Sequence, residues 1–133
     1  MSIGSFCLVL HGHLPYVLRH GTWPHGEDWI YEAAAETYLP LLSIFGECEL
    51  LNGNPRVTLG LTPVLLEQLS HEDFKIGFRR YLSERCARAN SDHAEFENRN
   101  ESHLAHLADR WIAFYEALAE QFSRIDSDIP SAF

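Results

Sequence analysis

An α/β chain with parallel strands and long helices is what the sequence predicts, on three observations. Ile3 to Leu10 is β-rich and almost unbrokenly apolar, the pattern of a strand covered on both faces in a parallel sheet. Val57 to Leu61 repeats that character in a shorter run. Between and after these runs, apolar residues recur at steps of three and four, as amphipathic helices require. Strand material is only about a tenth of the chain, against roughly a fifth to a quarter in globular domains, and two parallel strands do not make an independent sheet. The strands therefore read as the start of a larger sheet whose other members are not among these 133 residues.

The first strand should be central, and the segment His11 to Gly26 that follows is a loop with two prolines, three glycines and four of the eight histidines. Dense polar and aromatic loops after buried strands are where α/β proteins keep their sites. From Glu27 to Leu51, the residues Ile30, Ala34, Tyr38, Leu41, Phe45 and Cys48 form one helical stripe. Pro40 interrupts it. Proline removes a backbone donor and crowds the carbonyl one turn back, so a kink or a second helix with Pro40 in its first turn is expected. Asn52-Gly53-Asn54-Pro55 is a stop signal, Val57–Leu61 the second strand, and the unit a βαβ.

Thr62-Pro63 supplies a capping hydroxyl and a proline to open a short helix through Leu69. Phe74, Phe78, Tyr81 and Leu82 share one face of a further helix ending near Ala89, and the polar run Asn90 to Asn100 separates it from the next. Leu104, Leu107, Trp111, Phe114, Leu118, Phe122 and Ile125 then mark a final helix that needs a large apolar surface opposite it. Such a stripe and an open strand edge predict that the chain self-associates or meets further protein.

Nineteen acids against ten bases give a net charge of −9, and Lys75 is the only lysine. A cationic face that would neutralise phosphates is missing, which argues against a nucleic-acid partner. The run Phe6 to Leu10 is too short to cross a bilayer and has no basic residue before it, so a cytoplasmic protein without a membrane partner is expected. Cys7, Cys48 and Cys86 sit in apolar stretches at wide spacing and read as buried thiols. Asn100-Glu101-Ser102 matches a glycosylation sequon, which carries no meaning without a secretory route. GxSxG, P-loop, GxGxxG and HExxH patterns do not occur, and no cofactor is called for.

His11-Gly12-His13-Leu14-Pro15-Tyr16 is the sharpest local feature. Residues two apart on extended backbone point to one side, so both imidazoles can converge beyond the strand's carboxyl end. The competing readings are two partly buried histidines bonded to backbone carbonyls, or a metal pair that would need further His, Asp or Glu ligands at a later strand end. Only Thr62-Pro63 offers such an end. Trp23 and Trp29 flank Pro24-His25-Gly26-Glu27-Asp28. Aromatic faces beside polar groups suit a sugar, and simple packing is the alternative. Glu32 and Glu36 share a helix face in the manner of a carboxylate pair but fit solvated, helix-stabilising roles better. His103 and His106 fit a wet helix face.

These motifs resemble a known family. Leu8-Val9-Leu10-His11-Gly12-His13-Leu14-Pro15-Tyr16-Val17, Trp23-Pro24 with Gly26-Glu27, Tyr31-Glu32-Ala33 and Glu36-Thr37-Tyr38-Leu39-Pro40-Leu41 are similar in order and spacing to the amino terminus of glycoside hydrolase family 57. Thr58-Leu59-Gly60-Leu61-Thr62-Pro63-Val64-Leu65 with Glu67-Gln68-Leu69 continues the match, so it covers essentially the whole chain. Family members generally carry HxHQP, and Leu14 stands here where glutamine is usual, a variant associated with the 1,4-α-glucan branching subtype. The resemblance implies an incomplete (β/α) barrel of seven strands with appended helical domains. It implies an α-glucan substrate and a retaining mechanism, with a glutamate nucleophile and an aspartate acid/base on later strands. It places His11 and His13 at the subsite holding the sugar at the scissile bond, and Trp23 and Trp29 around the glucan. Residues 1–133 would be the amino-terminal portion of that barrel, ending before either carboxylate, with no catalytic and no metal residues of their own. The chain alone is then expected to be inactive. A noncatalytic carbohydrate-binding or assembly module and an HxH metallohydrolase fragment stand as the alternatives.

Overall fold

In a computed structural model that describes residues 3–51 and 56–133, two strands and a set of helices assemble in the order expected. Strand β1 (Leu8–Gly12) is followed by α1 (Glu27–Ala33), a π-helical turn (Ala34–Tyr38) and α2 (Leu39–Leu50). Strand β2 (Val57–Leu61) then leads to α3 (Pro63–Ser70), α4 (Glu72–Asn98), α5 (Ser102–Arg124) and α6 (Ile129–Ala132). The stop signal Asn52 to Pro55 lies outside the described residues. The two strands pair in parallel, Leu8 opposite Val57 through Gly12 opposite Leu61. The expected βαβ unit is present, as an α/β arrangement in which helices predominate.

The first strand starts later than its apolar run. Ile3 to Cys7 are exposed, and pairing begins at Leu8 because β2 offers five residues. Nor are the faces of β1 covered. Leu8 is 40% and Val9 62% exposed, since the sheet has two strands and the helices do not enclose it. The cysteines depart likewise from the expected buried thiols. Cys7 lies on the uncovered segment, Cys48 on the wetter half of α2 and Cys86 beside Asn90 at the rim of α4, all three as free thiols.

Pro40 behaves as its chemistry requires. It occupies the first turn of α2, and the turn before it is π, with the Leu39 N–H bonding Ala34 O five residues back. A wider turn ahead of a proline relieves the crowding its ring imposes on the carbonyl four residues earlier, here Glu36.

The core is helical. Tyr31, Phe74, Phe78, Tyr81 and Phe122 form an aromatic cluster, with Phe78 edge-on to Phe122 at 4.9 Å and Phe74 stacked on Phe78 at 5.4 Å. Helix α4 does not end near Ala89 but runs through the polar stretch to Asn98. Nothing between Asn90 and Asn98 breaks a helix, and its neighbour α5 supplies the support that a polar helix lacks alone. His93 meets Asp109 at 2.9 Å across that interface. The stop is Asn100, in left-handed backbone at φ 56, with Glu101 N–H bonding Phe96 O and Asn100 N–H bonding Glu97 O. That pair of bonds is a Schellman closure, and asparagine tolerates its conformation.

Helix α5 buries the stripe its large residues mark in its second half, through Phe114, Leu118, Phe122 and Ile125, and a different one in its first. Ala105, Ala108, Leu118 and Phe122 are buried, with Ile112 and Tyr115 half-buried, while Leu104, Leu107 and Trp111 stay exposed. Alanines let the α4 and α5 backbones come close, so the inward face of the first half lies one position off the expected stripe, and the surface opposite it is α4.

Candidate functional site

Parallel pairing brings the carboxyl ends of β1 and β2 side by side, the place where α/β proteins build sites. The Thr62 N–H bonds Gly12 O at 3.2 Å, tying the two strand exits together. His11 and His13 lie on the same side, both exposed, with near-parallel rings 6.3 Å apart at 15°. His13 Nδ1 lies 3.3 Å from Thr62 Oγ1. The expected capping role of the Thr62 hydroxyl is thus corrected. Thr62 does hold the N-cap position of α3, but its side chain makes no capping bond. The partly buried, carbonyl-bonded reading of the two histidines does not match their exposure.

Below the histidines, the loop alternates exposed and anchored residues. His13, Pro15 and Tyr16 face out, whereas Leu14, Val17 and Leu18 are at most 5% exposed in the core. The backbone between them is held by Gln68, fully buried on α3. Its Oε1 accepts from the Val17 N–H at 2.7 Å, and its Nε2 donates to Pro15 O at 3.0 Å and Val64 O at 3.2 Å. Its signal in the sequence is a polar residue in phase with Leu65 and Leu69 on an otherwise apolar face.

The far half of the loop folds onto the start of α1. The Glu27 N–H bonds Gly21 O at 2.8 Å and the Asp28 N–H bonds Thr22 O at 3.2 Å, supplying partners that a helix N-terminus otherwise lacks. Arg19, at φ 64, donates its backbone N–H to Glu27 Oε1 and its guanidinium to Asp73 Oδ2 at 2.6 Å. That hydrogen bond holds the Asp73 carboxyl below the ordinary carboxylate range. Trp23 is 75% and Trp29 42% exposed, and the ring beside Trp29 is His25 at 5.6 Å. Trp23 thus lies in the loop and Trp29 in the first turn of α1, and among the described ring contacts neither tryptophan meets His11 or His13.

Gly26 permits this closure. A Cβ there would run into the carbonyl of Gly21 and stand 2.8 Å from Thr22 C, all backbone atoms. Gly26→Ala is expected to cost about 1–3 kcal/mol, since backbone cannot sidestep as a side chain can. Urea unfolding together with tryptophan emission checks it, and an unchanged midpoint would show that the loop closes some other way.

A groove of about 320 Å³ runs from His11 along the π turn, lined by Glu36, Thr37, Tyr38, Leu41 and Ile44 among others. Burial pushes the Tyr38 phenol above its ordinary value, so it stays a neutral hydroxyl. Glu36, exposed, shares this groove with His11, a juxtaposition that helix spacing could not reveal. Glu32 instead faces Arg85 at 3.7 Å. His103 and His106 are exposed on α5. Among the described residues no group of three or more His, Cys, Asp or Glu is placed to hold a metal ion, and the second strand end presents Thr62 where the metal reading needed a ligand. No helix among the described residues is long and apolar enough to cross a membrane.

Comparison with known proteins gives concordant matches. The model for glycosyl hydrolase family 57 matches residues 7–133. A 1,4-α-glucan branching enzyme of Thermococcus kodakarensis is 33% identical over 126 residues, which are 95% of this chain and 18% of that protein. The crystal structure of a branching enzyme of the same glycoside hydrolase type from Pyrococcus horikoshii superposes with a TM-score of 0.90 at 32% identity, over 96% of this chain and 23% of that one. The α-amylase AmyC of Thermotoga maritima superposes with a TM-score of 0.84 at 30% identity, over 96% and 24%. The chain thus spans about a fifth to a quarter of these relatives.

Proposed function

The chain belongs to glycosyl hydrolase family 57, and from that premise we propose that it forms part of the substrate pocket of an α-glucan branching enzyme. Its homology is to the amino-terminal region of such enzymes. In this reading the parent cleaves an α-1,4-glucan, holds the donor as a covalent glycosyl-enzyme and passes it to a 6-hydroxyl, in a cytoplasmic setting of glycogen-type synthesis. The observation that carries it is the placement of His11, His13 and Thr62, exposed or half-exposed, at the carboxyl ends of adjacent parallel strands. Imidazole and hydroxyl groups there supply hydrogen bonds to sugar oxygens, and Trp23 and Trp29 supply apolar faces for the glucan.

The uncovered faces of the sheet and the exposed residues of α5 fit contact with the rest of a barrel, or with a second copy. Retaining chemistry needs two carboxyl groups about 5 Å apart across the bond. Glu32 is paired with Arg85 and Glu36 lines the groove with His11, and in this reading the catalytic pair comes from later strands.

The chain on its own should therefore bind maltoheptaose without converting it. His13→Ala should weaken that binding about tenfold while leaving the melting temperature nearly unchanged, because His13 is exposed. Titration calorimetry with product analysis tests both points. Absence of binding by the unmodified chain would overturn the pocket assignment, and turnover by pure material would overturn the division of labour with later strands.

A further inference from the structure

We propose that Thr62 is a positioning residue for His13, fixing which ring nitrogen that histidine offers to a ligand. This rests on the glucan-pocket reading of the same site and adds a residue to it. Threonine at an N-cap normally spends its hydroxyl on a backbone N–H of the first helical turn. Here the cap is made without it. Pro63 has no N–H to satisfy, and the Leu65 and Leu66 N–H groups both bond the Thr62 carbonyl at 3.0 Å. The hydroxyl is thereby free of the helix, and it stands 3.3 Å from His13 Nδ1. The Thr62 backbone is fastened to Gly12, the residue before His13, so the two side chains share one rigid base.

A hydroxyl can donate to Nδ1, and a neutral imidazole that accepts at Nδ1 carries its proton on Nε2. His13 then presents an N–H donor to an incoming sugar oxygen. A hydroxyl can equally accept from an Nδ1–H; here it is assigned the donating role, and among the described residues this is the hydrogen bond the exposed ring makes. Gly12 and Gln68 fix where the histidine backbone lies, and Thr62 fixes what its ring offers.

The test compares the 133-residue chain with Thr62→Val and Thr62→Ser, reading histidine ring nitrogens by two-bond ¹H–¹⁵N correlation at a pH where the imidazole is neutral. His13 in the unmodified chain and in Thr62→Ser should show the Nε2–H pattern. Thr62→Val should show a mixture of tautomers and bind maltoheptaose about three- to tenfold more weakly, as loss of one hydrogen bond predicts. Its melting temperature should hold, since no capping bond is removed. An unchanged His13 pattern in Thr62→Val would overturn the proposal. So would a fall of several degrees in melting temperature with the pattern intact, which would make the hydroxyl a structural cap. A His13 pattern that responds while the unmodified chain binds no maltoheptaose would uphold the positioning role and overturn the glucan reading instead.

Discussion

Gly77→Ala should destabilise the chain by about 2 kcal/mol, although alanine is the better helix former by about 1 kcal/mol. Gly77 lies buried in α4. A Cβ there would overlap the Tyr31 hydroxyl and stand 2.7 Å from Tyr31 Cζ. Tyr31 has nowhere to retreat. Its ring packs on Phe74, Phe78 and Tyr81 within 6.2 Å, and its hydroxyl donates to Glu27 Oε2 at 3.2 Å. Burial, and then the Glu27 charge, push the phenol well above its ordinary value, so it remains a neutral donor. The same substitution in a Tyr31→Phe background removes the overlapping oxygen and should cost less than half as much. Urea unfolding of the four proteins of this cycle gives the coupling directly. A stabilised Gly77→Ala would show that propensity outweighs packing and that Tyr31 is free to move.

Gln68→Leu should cost about 2–4 kcal/mol, because it leaves the buried Val17 N–H and the Pro15 carbonyl without partners. Maltoheptaose affinity should fall as well, since that backbone carries His13 and Tyr16. Gln68→Glu gives the finer test. A protonated carboxyl can reproduce the amide, accepting from Val17 and donating to Pro15. An ionised one cannot donate, and it is a buried charge. Burial raises the folded-state pKa of such a group above its unfolded value. Its stabilising contribution is therefore complete below the unfolded pKa, near 4, and is lost as pH rises through the folded one. Measured against the unmodified chain at each pH, Gln68→Glu should come closest to it around pH 4 and fall away toward neutrality. A penalty independent of pH would mean that the amide makes no use of both its ends.

What could be read from the sequence follows how local the deciding interaction is. Val57–Leu61 and the interruption at Pro40 were legible because strand propensity and a missing N–H act within a few residues. The length of α4 and the inward face of the first half of α5 were not, because each helix is decided by the other: Ala105 and Ala108 are buried by close approach, not by their own hydrophobicity. The histidine pair and its place at a strand end followed from alternation along extended backbone. Gln68 and the turn of the Thr62 hydroxyl toward His13 depend on contacts spanning 49 to 53 residues, which periodicity does not record. Cys7 and the faces of β1 depart from expectation for a related reason: an apolar run specifies a need for cover, not its presence.

The π turn at Ala34–Tyr38 makes the residue count of this helix a coded quantity. Each residue added to or taken from an α-helix rotates everything beyond it by about 100°. A π turn takes up one residue more than an α turn, so deleting one residue from Ala34–Tyr38 would restore ordinary α geometry and keep Leu39, now fully buried, facing the core, whereas inserting or deleting a residue elsewhere in these helices would swing one face away. The turn works as a phase setter, reconciling the face that α1 shows to the aromatic cluster with the face that α2 shows to α5, whose Gln121 donates to Leu39 O. Among relatives, a gap of one residue between Ala34 and Pro40 should then mark a plain α-helix with the same buried faces, whereas a gap of one residue elsewhere in these two helices would be suspect on geometric grounds alone.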